Sequence, residues 1–263
     1  MKPIQRLIPG ALACALMTVF ATVATAADAP PAMSAKDLAA KLSALQQDGA
    51  SYVRLKLDVK PPPGSPPFTL QLQIKQRRSP SSSEILYQVL WPKARAGESV
   101  LLRRTGDQAA TGSLFTPPNT QRPLTASQMK EPMFGSDMSY ADVLENFFAW
   151  DHQAIVGTGV VDRVNCQILE SKPGKAQRSN SASVRTWVDL RRLVPLRVEK
   201  YAASGTATRR IDTTRVVSDD LNRQIPANLT IHNLQTGSTT ELDGSKIKHG
   251  VTFTDREFGE SGQ

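Results

Sequence analysis

The side chains best suited to chemistry are few and widely spread. The three histidines, His152, His232 and His249, have no second histidine or acidic residue at a spacing that closes on a metal ion. Asp151 and His152 are adjacent, and neighbours in sequence cannot easily aim both side chains at one ion. There is no G-x-S-x-G, no P-loop and no G-x-G-x-x-G. Cys166 alternates with Val164 and Ile168 and reads as a buried small hydrophobe. An enzyme, a metal and a cofactor are therefore not expected. Four Arg-Arg pairs, Arg77-Arg78, Arg103-Arg104, Arg191-Arg192 and Arg209-Arg210, fall at strand ends or turns. Solvated edge charges of this kind discourage edge-to-edge pairing; the sharper reading is contact with anionic head groups. Aromatic residues make up 6% of the chain and are not interleaved with Lys or Arg on a strand face, so nucleic acid is not an expected partner.

The densest run of special residues is Gly135-Ser136-Asp137, followed by Ser139, Tyr140 and Asp142. Tyr140, Val143, Leu144, Phe147 and Phe148 share a helical face, which predicts a helix starting at Ser139. Asp137 or Ser139 would cap it, and Asp142 in the first turn would favour the positive end of its dipole. This block reads first as a structural staple, with Tyr140 and Leu144 as candidate ligand contacts.

The elements that must position these residues are legible by period. Lys2 and Arg6 precede an apolar run from Leu7 to Val23 and the small-x-small site Ala24-Thr25-Ala26, the pattern of a cleaved signal peptide over 1–26. Cys14 lacks the context of a lipidated cysteine and is removed with it, leaving Cys166 without a partner for a disulfide. The predicted mature chain, 27–263, is a single exported domain that stays basic, which suits either solubility or anionic surfaces. Ser34 and the spacing of Leu38, Leu42 and Leu45 predict an amphipathic helix ending at Gly49. Val53, Leu55, Leu57 and Val59 then alternate with polar residues, as do Phe68, Leu70, Leu72 and Ile74 after the proline-rich turn 61–67. Period two places each apolar set on one sheet face, and the two runs predict a hairpin. Further strands are predicted at 84–91, 99–104, 109–115, 154–161, 164–171, 183–190, 195–202, 206–217, 228–234 and 238–242. Their close succession predicts a mainly β protein with a meandering antiparallel sheet. So long a sheet must curl, and helices laid over its concave face then close off an apolar interior. Val53, Leu55, Leu57, Leu70, Leu72 and Ile74 are the candidate cavity wall.

Three segments together resemble the outer-membrane lipoprotein-sorting, LolA-like family. The first is the block 133–144 already described; the second runs from Val161 to Leu169 and on to Trp187 and Asp189; the third is Pro195-Leu196-Arg197, ending at Ser204-Gly205. The resemblance implies an unclosed antiparallel β-barrel with an α-helical lid over a hydrophobic cavity. It implies a periplasmic carrier or chaperone that binds acyl chains of lipoproteins, or another lipid, for transfer between inner and outer membranes. A monomer is expected, with an inner-membrane transporter as a further partner. The competing expectation is that the same fold binds a protein partner, as an envelope-stress sensing module or an accessory subunit of a lipid-exporting transporter. Burying one long acyl chain at about 25 cal/mol per Å² gives several kcal/mol, enough for reversible carriage.

Overall fold

The computed structural model describes residues 31–47, 49–106, 108–175, 177 and 179–259; the expected signal peptide and Cys14 lie outside them. The first element is the helix α1, Ala35–Gln46. Ser34 is its N-cap, with Oγ accepting from the Asp37 backbone N–H at 3.2 Å. Leu38, Ala39 and Leu42 are buried, whereas Leu45 is 38% exposed, so the apolar stripe is narrower than the spacing predicted.

Alternating side chains then build thirteen strands among the described residues, all in one antiparallel sheet. They are β1 Gly49–Lys60, β2 Phe68–Arg78, β3 Ser82–Trp91, β4 Ser99–Thr105, β5 Thr111–Thr116, β6 Thr120–Pro123, β7 His152–Val161, β8 Val164–Lys172, β9 Ser183–Asp189, β10 Val194–Tyr201, β11 Ala207–Ser218, β12 Gln224–Asn233 and β13 Thr239–His249. The predicted hairpin forms in the register that keeps its apolar faces together: Val53 opposite Ile74, Leu55 opposite Leu72 and Leu57 opposite Leu70. The short strand β6 was not predicted, because Thr-Gln-Arg-Pro has no alternation to read.

The strand order is 6-5-4-3-2-1-13-12-11-10-9-8-7. Neighbours are consecutive in sequence except β1 and β13, so two meanders meet in the middle and the sheet stays open, with β6 and β7 as its opposite edges. The link 124–151 between those edges must therefore cross the sheet. It does so as a strap with short 3₁₀ turns at Gln128–Lys130, Met133–Gly135, Asp142–Leu144 and Phe147–Ala149. The helix predicted from Ser139 is not formed. Ser139 and Asp142 do make the reciprocal capping pair, Ser139 N donating to Asp142 Oδ2 at 2.9 Å and Asp142 N to Ser139 Oγ at 3.2 Å. The turn they start ends at once, since Glu145 is extended and Asn146 lies outside the helical region. α1 is thus the one α-helix among the described residues, and none is long and apolar enough to cross a membrane.

The core follows this layout. Over β1–β5, the inner sheet face packs against Met129, Met133, Phe134, Tyr140 and Leu144 of the strap. Over β7–β9, Leu169, Val184 and Val188 pack against Leu38 and Leu42 of α1 together with Phe147, Phe148 and Trp150.

Candidate functional site

The structure brings the eight residues expected to line a cavity into one place, but as core. Val53, Leu57, Leu70, Leu72, Ile74, Tyr140 and Leu144 are all buried, and Leu55 is packed against them. The space expected to be hollow is occupied by the strap's own Met, Phe, Tyr and Leu side chains. Two surface pockets among the described residues, of about 170 and 560 Å³, are lined by none of the eight. Here the strap packs against the sheet face instead of forming a helical lid.

Three polar contacts hold the strap down. Asp137 does not cap a helix: its backbone N–H donates to Thr240 Oγ1 at 2.9 Å and its carboxylate accepts from the hydroxyls of Ser238 and Thr240, which pins the strap to β13. Gly135, at φ +84°, is needed beside it, since a Cβ there would press on the Phe68 ring at 3.2 Å, and Ser136 Oγ closes the turn onto Met133 O at 2.8 Å. Further along, Lys200 Nζ lies 2.6 Å from Asp142 and 2.8 Å from Glu145, and Arg209 also pairs with Asp142. Burial pushes the Asp142 carboxyl up, but Lys200 and Arg209 more than reverse this and hold it well below the usual range. Burial lowers the Lys200 ammonium and its two carboxylates overcome that, leaving it raised. The third contact is Arg78, whose Nη2 donates to Val143 O at 2.8 Å.

Where the strap ends, space opens. A groove of about 560 Å³ runs beside α1, lined on the helix by Lys36, Ala39, Ala40, Ser43, Ala44 and Gln47 and on the other side by Phe148, Ala149, Trp150, Asp151 and Gln153. This volume falls within the range of small-molecule sites, roughly 300–1,000 Å³. Its floor is alanine and aromatic ring, and its rim is charged or amide. The residues were missed because an alanine run on a helix carries no binding signal in sequence; only the facing aromatics make a groove of it. The other pocket, about 170 Å³, is lined by polar residues such as Lys56, Asp58, Glu241 and Asp243 and offers little to an apolar ligand.

Two further groups that could do chemistry are already engaged by the fold. The fold gathers Asp219, Asp220 and His249, which spacing alone did not show. Arg223 stands among them, donating to Asp219 Oδ2 at 2.8 Å and lying 3.0 Å from His249 Nε2, so a guanidinium supplies the positive charge there. Cys166 is buried, and burial pushes its thiol up, away from nucleophilic use.

Comparison with known proteins places this geometry in context. A family model described as an uncharacterized protein matches residues 82–262. No curated protein matches the sequence. Among solved structures, a DUF1329 family protein from Desulfovibrio piger superposes with a TM-score of 0.78 at 20% identity, covering 86% of this chain and 96% of that one. A protein described as an outer membrane lipoprotein-sorting domain, from Vibrio parahaemolyticus, has a TM-score of 0.73 at 18% identity, over 86% of this chain and 96% of that one. A LolA superfamily protein from Nitrosomonas europaea has a TM-score of 0.67 at 18% identity, over 87% and 98% respectively. At these identities the likeness is one of fold.

Proposed function

The chain belongs to the uncharacterized family matched at residues 82–262 and has a LolA-like fold, and from that premise we propose that it is a lipid-binding carrier or chaperone of the periplasm. It shields acyl chains, of lipoproteins or of another lipid, in transit between inner and outer membranes. The observation that carries this reading is the groove along α1: an apolar floor on a sheet otherwise closed by its own strap. From Lys36 to Gln47 the helix side of the groove spans eleven residue steps, about 16 Å at 1.5 Å per residue, a length suited to an extended hydrocarbon chain. An exposed apolar groove gains on covering, at about 25 cal/mol per Å², while its openness keeps release feasible. The six residues of the inner sheet face, Val53, Leu55, Leu57, Leu70, Leu72 and Ile74, come into play only if the strap with Tyr140 and Leu144 lifts, which would extend the groove onto the sheet.

Export is part of the proposal, resting on the charged, apolar and small-residue pattern of 1–26, as is action in the periplasm, which the likeness to an outer membrane lipoprotein-sorting domain supports. The test is native mass spectrometry of the protein isolated from that compartment, followed by uptake of a fluorescent fatty-acyl probe by the delipidated chain. A co-purifying acylated species and saturable, one-to-one uptake are expected. A lipid-free protein that takes up no probe would end the carrier reading.

A further inference from the structure

Two of the arginine pairs resolve into different chemistry on the two faces of the sheet. On the outer face of β2, β3 and β4, Glu84 lies opposite Arg77 on one side and Arg103 on the other. It pairs with both, Arg103 Nε at 2.8 Å. One residue along each strand the side chains turn to the inner face. There the same row reads Arg78, Ser83, Arg104, with a hydroxyl where the outer row has a carboxylate.

Nothing anionic balances this inner pair among the described residues. Arg78 donates to Val143 O at 2.8 Å and to Gln76 Oε1 at 3.3 Å, both neutral acceptors. The Arg104 side chain has neither a hydrogen bond nor an ion pair among the described residues. Burial lowers the Arg78 guanidinium, and the Arg104 charge lowers it further. Two rows inward Tyr87 is buried, its phenol pushed up to about 12 by burial. Adjacent strands are about 4.8 Å apart, which sets the two arginines near 10 Å at their Cα atoms, within reach of one oxyanion from both sides. A half-buried like-charge pair without counter-charge is costly to keep. The row is completed on β1 by Gly49, opposite Arg78 and two residues after Gln47, which lines the end of the α1 groove.

We propose that Arg78, Ser83 and Arg104 form a site for the oxyanion head, carboxylate or phosphate, of an amphiphile whose hydrocarbon chain lies in the groove along α1. The proposal rests on the lipid-binding reading and narrows it to anionic lipids. Both guanidiniums donate to the head, and the Ser83 hydroxyl, 5% exposed at residue level, adds a neutral donor between them.

Titration of the delipidated full chain with dodecanoate, dodecanol and inorganic phosphate tests it, in the wild type and in Arg104→Gln and Ser83→Glu. Dodecanoate is expected to bind at least about tenfold tighter than dodecanol, the scale of one or two charge-assisted hydrogen bonds. Arg104→Gln has no contact to lose and should fold as the wild type; it should bring the two ligands to within about twofold while leaving dodecanol unchanged. Ser83→Glu copies the outer row and should do the same. Phosphate alone should not displace dodecanoate; displacement at equal concentration would assign the site to a free oxyanion and overturn the lipid assignment. Equal affinity for acid and alcohol in the wild type would overturn the head-group site and leave the carrier reading standing, whereas binding of neither would remove the carrier reading itself.

Discussion

Over β1–β5 the strap lowers Met129, Met133, Phe134, Tyr140 and Leu144 onto the sheet, and the apolar face beneath becomes solid core. Over β7–β9, α1 sends Leu38 and Leu42 down to the sheet but turns Ala40, Ser43 and Ala44 sideways toward Phe148 and Trp150, and a groove remains. Both regions bury an alternating sheet face beneath a covering segment that carries apolar side chains. The difference lies in the volume of the covering side chains: large ones fill the space to interior density and small ones leave it open. The sheet face alone does not decide whether a pocket exists; the segment laid over it does.

The largest effect should come from Leu72→Asp. Leu72 is 1% exposed in the packed region, so a carboxylate there costs more than about 4 kcal/mol and should abolish the folding transition in urea. A folded variant that merely loses lipid would show that a cavity, not a core, lies under the strap.

Next is Lys200→Met, which leaves Glu145 enclosed without its cation and Asp142 with Arg209 alone, and should cost about 3 kcal/mol in urea denaturation. The pH dependence sharpens this. Asp142 is depressed below its ordinary value of 3.8, so its contribution is full above that pH and is lost as pH falls through the folded value. Lys200 is raised above 10.5, so its contribution is full below that pH and fades as pH climbs through the folded value. Wild-type stability should therefore fall at both extremes, and the Lys200→Met variant should lose the alkaline decline. An unchanged alkaline limb would mean that Lys200 does not latch the strap.

The smallest effect on stability and the most selective on binding is expected from Ala40→Leu. Ala40 is exposed on α1, so folding should change by less than about 0.5 kcal/mol. The added branches enter the groove and should weaken acyl-probe uptake several-fold in a fluorescence titration. Full uptake in this variant would move the ligand away from α1.

Much of this architecture can be read without coordinates. The alternation in 53–59 and 68–74 places the strands, their shared face and their register, because period two is a property of the local backbone. Ser34 likewise marks the start of α1 through its own hydroxyl. The stretch from Ser139 shows where such reading stops: its capping pair forms, but the helix does not follow, since Lys200 and Arg209, distant in sequence, hold Asp142 and Glu145 in place and Phe147 and Phe148 turn under α1.

What the chain determines by itself is which residues face inward and that they alternate along strands, through steric rules acting over two or four residues. What only the tertiary structure decides is how that inner face is used. The pairing of β1 with β13 makes β6 and β7 opposite edges and sends 124–151 across the sheet. That crossing fills one half and leaves a groove in the other. These outcomes depend on contacts between residues far apart in sequence, which no local pattern encodes.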